Sequence, residues 1–203
     1  MEEDIMIKYS SGLVSESFWF IEFKKIIKLK HEGISWEEIK DLCLKENLLG
    51  VSKEYRAKRI YGYLKNRISS LDEDIFDIFI MSDLSTQKII DLMSIAKQNR
   101  LFFEFLYEVY REKVLLGETE LTDSDINIFF NNKQQQSEDI GLWTDVTLRR
   151  LRSSYMNFMV DAGLLTVVNK QKQITPPILD VALEQYLVRK NEVQLFKAIT
   201  GRD

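Results

Sequence analysis

Apolar positions recur at three- and four-residue spacing through most of the chain, and most of these runs begin or end at a residue suited to a helix terminus. Leu13 to Lys30 carries Phe18, Trp19, Ile21, Phe23, Ile26 and Ile27, with Ser15 as its cap and an end near Gly33. Ser35, followed three residues later by Glu38, spells a capping box for a second helix through Trp36, Ile39, Leu42 and Cys43. Ser52 caps a third, with Ala57, Ile60, Tyr61, Leu64, Ile68 and Leu71 as its buried stripe. Asp72, Glu73 and Asp74 suit the positive end of a helix dipole and open a fourth, with Ile75, Phe76, Ile78 and Phe79. Ser85 starts the helix of Ile89, Ile90, Met93 and Ala96. Leu101 to Leu116 forms another, and Thr122 with Asp125 starts the one holding Ile126, Ile128, Phe129 and Phe130.

Asn131 to Asp139 breaks this pattern with a polar stretch that includes Gln134, Gln135 and Gln136, and it reads as a linker or exposed loop. The chain is thereby divided into an all-helical domain over 1–132, a connection over 133–141 and a second domain over 142–203. Thr144 caps a helix with Asp145 in its first turn and Leu148, Leu151, Tyr155, Phe158, Met159 and Ala162 as its core stripe. Gly163 stops it in the left-handed conformation. Leu164 to Val168 turns β-rich, Asn169 to Gln173 is polar enough for a hairpin tip, and Ile174 and Thr175 return toward Pro176 and Pro177. Ile178 to Arg189 and Val193 to Ile199 close the chain as helices. The expected fold is mainly α: an N-terminal multi-helix domain whose first three helices resemble a helix-turn-helix, then a C-terminal winged helix-turn-helix with a short β-hairpin.

Charge makes two of these helices candidates for nucleic-acid contact. Arg149 and Ser153 fall opposite the core stripe, flanked by Arg150 and Arg152, and Lys170 and Lys172 sit at the hairpin tip. A helix in the major groove beside a ribbon on neighbouring phosphates uses such an arrangement. In the third helix Lys53, Arg56, Lys58, Arg59, Lys65 and Arg67 are opposed only by Glu54, and Tyr55, Arg56 and Arg59 share an outward side with Tyr63 and Asn66. Both faces equally describe ordinary solvated helices. Outward Met156 and Val160 indicate that the later turns of the Thr144 helix lean on another element.

The 203 residues are 45% hydrophobic and 30% charged, as in an ordinary globular protein, and a net charge of −4 argues against indiscriminate nucleic-acid binding. The sole cysteine, Cys43, sits between Leu42 and Leu44 as a buried thiol, which is compatible with a reducing cytoplasm. Met1 to Asp4 lacks the order of a secretion signal, and no apolar run approaches the ~18 residues of a membrane span. No P-loop or glycine-rich dinucleotide turn is present. With His31 as the single histidine, at a helix end, ordinary zinc sites and a Ser/His/Asp triad lack their residues. Carboxylates are plentiful, but no spacing singles out a magnesium site. No catalytic residue, metal or cofactor is assigned.

Tyr9, Ser10, Gly12 and Leu13; Phe18, Trp19 and Glu22; Glu32, Gly33 and Ser35; Glu46 and Asn47; Arg59 and Arg67; Arg100, Leu101, Glu104 and Phe105; Glu108, Tyr110, Arg111 and Lys113; Phe129 and Phe130; Trp143, Thr147, Leu151 and Tyr155; and Ala162 to Leu165 follow one another along the chain. Together these patterns resemble the BrxA family of bacteriophage-exclusion (BREX) defence systems. The resemblance implies a largely helical protein, partly like the NusB antitermination factor, that binds double-stranded DNA and works with methyltransferase, ATPase and phosphatase-like defence components. It assigns no DNA-touching residue; Arg149, Arg150, Arg152, Ser153, Lys170 and Lys172, and Arg56, Lys58, Arg59 and Tyr63, come from the charge pattern. The expectation is a non-enzymatic, cytoplasmic DNA-binding accessory protein. An assembly scaffold and an RNA-binding adaptor are the alternatives.

Overall fold

Side-chain caps set where many of the helices begin. In the computed structural model, which describes residues 8–202, a short 3-10 turn (Gly12–Ser15) leads to α1 (Phe20–His31), α2 (Trp36–Lys45), α3 (Glu54–Ser69), α4 (Asp74–Met81) and α5 (Leu84–Gln98). Then come α6 (Arg100–Phe105), a π-helical turn (Leu106–Tyr110), α7 (Arg111–Leu115), α8 (Asp123–Gln136), α9 (Glu138–Gly141) and α10 (Asp145–Ala162). The strands β1 (Leu165–Val168) and β2 (Gln171–Ile174) and the helices α11 (Val181–Arg189) and α12 (Val193–Thr200) complete the order. The described residues are therefore mainly helical, with one small antiparallel sheet among them. The acidic Met1 to Asp4 lies outside the described residues. The capping boxes of Ser35 with Glu38 and Thr122 with Asp125 both form, and Thr144 accepts from the Thr147 amide.

The predicted first helix is split. A continuous helix from Leu13 would need the carbonyls of Ser17 and Phe18 for itself, but both accept from the guanidinium of Arg67 on α3, at 2.9 Å each. Glu16 closes the same clamp through its carboxylate, 2.7 Å from Nη2. Residues 16–19 are consequently non-helical, and α1 starts only after Trp19, whose left-handed φ of 51° is rare for a bulky side chain. Trp19 is held there by stacking on Tyr63, 5.8 Å between ring centroids, and by Arg67 at 5.6 Å. Ser15 is thus not a helix cap. Ser52 is not a cap either, since α3 follows Lys53, and α5 starts at Leu84, one residue before Ser85, with Asp83 as its cap accepting from the Thr86 amide.

The polar stretch expected as a linker is helical. α8 runs through it to Gln136, and α9 follows with Ile140 buried. The reason lies far away in sequence: Lys133 is buried because Glu104 and Glu108 receive its ammonium at 2.6 and 2.7 Å. Against the pull of burial, these hydrogen bonds hold the Lys133 ammonium charged.

A single apolar cluster runs from Leu13 to Ile199 and takes in the core stripe of α10. Tyr155 of α10 is enclosed by the rings of Phe102, Phe105 and Phe130, and α10 packs on α5 and on the 3-10 turn. Gly163 ends it with φ of 85°. The hairpin pairs Leu165 with Ile174 through Val168 with Gln171. Its two-residue tip, Asn169 and Lys170, has both φ values positive, which matches the twist of the strands. The hairpin is not free-standing: the Leu121 amide donates to the Lys172 carbonyl, and the Ile174 amide to the Thr119 carbonyl, both at 2.9 Å.

Arg67→Met leaves Glu16 and Asp91 without their cation and is expected to lower unfolding free energy by about 3–5 kcal/mol in urea titrations. Asp91 is fully buried 3.6 Å from Arg67, and burial, outweighing that guanidinium, pushes its carboxyl up to about 7 from 3.8. The folded state therefore binds a proton the unfolded state has lost, so this group's contribution falls as pH rises from 3.8 toward about 7, by at most ~1.4 kcal/mol per unit. Asp91→Asn should remove that slope in urea titrations across the same window. A Cβ on Gly201, at φ of 69°, would lie 2.2 Å from Val114 Cγ1 of α7, so Gly201→Ala should destabilise by roughly 2 kcal/mol or more, read by thermal melting.

Candidate nucleic-acid interface

α3 turns Ala57, Ile60, Tyr61, Leu64, Arg67 and Ile68 inward, and this fixes what it presents outward. Arg56, Lys58 and Arg59 are exposed, and none of them forms an ion pair among the described residues. Tyr63, expected on the same outward side, is half-buried in its stack with Trp19. Arg67, which belongs in sequence to this basic run, is only 1% exposed and lies in the core. Lys65 and Lys40, the latter from α2, flank Lys58. Lys65 lies two turns along α3 from Lys58 and belongs to the same basic run, whereas only the packing of α2 on α3 brings Lys40 to them.

The α10 and hairpin set is more divided. Arg149, Arg150 and Ser153 are exposed, as expected from their position opposite the core stripe. Arg152 is half-buried, with its guanidinium carbon 5.6 Å from the centre of the Phe130 ring. It does not protrude as a third free guanidinium, because α8 lies beneath it. Lys170 is exposed at the hairpin tip, whereas Lys172 is half-buried and meets Asp123 at 2.8 Å. Met156 is buried and Val160 half-buried, so the later turns of α10 do lean on other elements.

Other chemistry-bearing groups have structural partners. His31 ends α1 with its Nε2 2.8 Å from Asp77. Cys43 is buried, and burial pushes its thiol up to about 11, far from a reactive thiolate. Glu104 gathers Tyr9, Arg100 and Lys133, and despite its burial their hydrogen bonds hold the carboxyl below its ordinary value. Among the described residues no group of three His, Cys, Asp or Glu side chains is placed to hold a metal ion. No helix among them is long and apolar enough to cross a membrane.

The BrxA family model matches residues 7–191. The chain belongs to the BrxA family. Its similarity extends to a relative named BREX protein BrxA from Bacillus cereus (strain H3081.97), which is 37% identical over 179 residues, 88% of this chain and 90% of that protein. A crystal structure of an uncharacterized protein from Magnetospirillum magneticum shares the fold. Its TM-score is 0.81, covering 96% of this chain and 99% of that one at 18% identity. In this BrxA-family chain, the packing separates surface cations from structural ones. Arg149→Ala should leave stability within about 0.5 kcal/mol, while Arg152→Ala, which strips a side chain from Phe130, should lower it by about 1 kcal/mol in urea titrations.

Proposed function

We propose that this chain is a non-enzymatic, cytoplasmic protein that binds double-stranded DNA and serves a BREX phage-defence assembly containing methyltransferase, ATPase and phosphatase-like components. The observation that carries the reading is the uneven compensation of cations. Lys97, Arg100, Lys113, Lys133, Lys172, Lys190 and Arg202 each meet an acidic side chain. Arg56, Lys58 and Arg59 on α3, and Arg149 and Arg150 on α10, meet none among the described residues. Cations left without an internal counter-charge on an exposed helix face suit phosphates, even in a protein of net charge −4. Membership of the family and the name of the Bacillus cereus relative support the defence context.

The α3 face is the principal DNA-binding surface in this reading, with Arg149, Arg150 and Lys170 as a second one. A scaffold role is favoured by a different feature: α10 and the hairpin expose Val146 and Val167 beside their cations, and Lys172 is already neutralised. The deciding experiment is a duplex titration over salt. Wild-type log affinity should fall by about 0.9 per neutralised phosphate for each log unit of salt. Replacing Arg56, Lys58 and Arg59 together with Gln should flatten that slope by about 0.9 for each phosphate no longer neutralised, and replacing Arg149 and Arg150 should flatten it less. Competition with structured RNA tests the ligand, and incubation with magnesium tests for cleavage. Failure of the wild-type protein to shift duplex DNA at low salt overturns the proposal; capture of defence components that survives nuclease treatment would then favour the scaffold.

A further inference from the structure

The cleft between α2 and α3 concentrates positive charge around one indole. It encloses about 400 Å³ and is lined by Trp36, Glu37, Lys40, Lys58, Tyr61, Gly62 and Lys65. Lys65 and, from the end of α1, Lys30 place their ammonium groups 5.6 and 5.1 Å from the centre of the Trp36 ring. The Lys30 ammonium also donates to the Ile34 carbonyl at 3.0 Å. None of Lys30, Lys40, Lys58 and Lys65 forms an ion pair among the described residues, and Glu37 is the one carboxylate in the lining.

Two features keep this arrangement in place. The Tyr61 hydroxyl donates to the Trp36 carbonyl at 2.7 Å, tying the middle of α3 to the first turn of α2. Trp36 itself follows the Ser35 capping box, so its backbone is anchored on both sides. At Gly62 the α3 backbone lies open to the cleft, since an added Cβ there would meet nothing within 4 Å. Like charges lining one cleft repel one another, the attraction of the indole face offsets part of that repulsion, and an anion from outside would offset more of it. The cleft is wide enough for a tetrahedral oxyanion and offers rotatable N–H donors from two helices, a geometry that suits phosphate oxygens.

We propose that the Trp36 cleft is a phosphate-binding site, with Lys40, Lys58 and Lys65 as its ligands and Trp36 as the positioning residue that holds two ammonium groups in place. The phosphate source is the duplex backbone. That choice of source rests on the DNA-binding reading above, whereas the cleft as a phosphate site does not.

The test labels the full chain with 5-fluorotryptophan and follows the Trp36 fluorine resonance, assigned with Trp36→Phe, during titration with inorganic pyrophosphate, ATP and a short duplex. The same duplex is titrated over salt against wild type and Lys40→Gln/Lys58→Gln/Lys65→Gln, in which Lys40 and Lys58 are exposed and Lys65 is half-buried. The expected result is a moving Trp36 resonance with pyrophosphate and duplex, absent in the triple variant, and a duplex salt slope smaller by about one in that variant. Duplex binding with an unchanged slope in the triple variant and a stationary Trp36 resonance overturns the cleft proposal and leaves DNA binding standing. A resonance that moves with pyrophosphate or ATP in a protein that ignores duplex keeps the cleft, assigns it to free phosphate compounds and rejects the DNA source. No response to any of the three probes overturns the proposal outright.

Discussion

The buried guanidinium of Arg67 organises the N-terminal half of the molecule. It joins three parts of the chain that have no local reason to meet: residues 16–18, α3 and, through Asp91, α5. A charge removed from water is tolerated only when its donors are satisfied, and here they are met by two backbone carbonyls and a carboxylate. The same bonds deny those carbonyls to a helix, delay the start of α1 and force Trp19 into a left-handed turn. With Arg67 directed inward, the rotation of α3 is set, and its remaining cations face out.

Charge in this protein is consequently of two kinds. The acidic middle of the chain is largely taken up by internal pairs, with Glu104 and Glu108 around Lys133, and Glu118 and Asp125 around Lys113. Around the outward side of α3 the balance runs the other way, with ammonium and guanidinium groups that form no ion pair among the described residues. An overall anionic composition and a cationic helix face are compatible because the two are segregated in space. The face is electrostatically distinct because Arg56, Lys58 and Arg59 follow one another along it without an acidic partner among the described residues.

Much of the architecture is legible from local signals. The apolar spacing locates the helical segments, Ser35, Thr122 and Thr144 mark true starts, and Gly163 marks a true end followed by the hairpin. Apart from the local shifts at Ser52 and Ser85, the failures share a cause: each depends on a partner distant in sequence. Arg67 reads as one more surface cation because its partners lie about fifty residues away, at Glu16 to Phe18. Residues 131–139 read as a linker because Lys133 owes its burial to Glu104 and Glu108. In the candidate interface, Arg149, Arg150, Lys170, Arg56, Lys58 and Arg59 face outward as their spacing indicates, while Arg152, Lys172 and Tyr63 are claimed by Phe130, Asp123 and Trp19. Periodicity assigns a side chain to a face, but only the neighbouring element decides whether that face stays open.

The backbone bonds from Thr119 and Leu121 to the hairpin make its two strands part of a wider ribbon joined to the start of α8. A surface loop usually surrenders conformational entropy when it closes on a partner, and that loss weakens the complex. This ribbon has already made that sacrifice during folding. Whatever meets Lys170 meets a ridge that folding has already shaped.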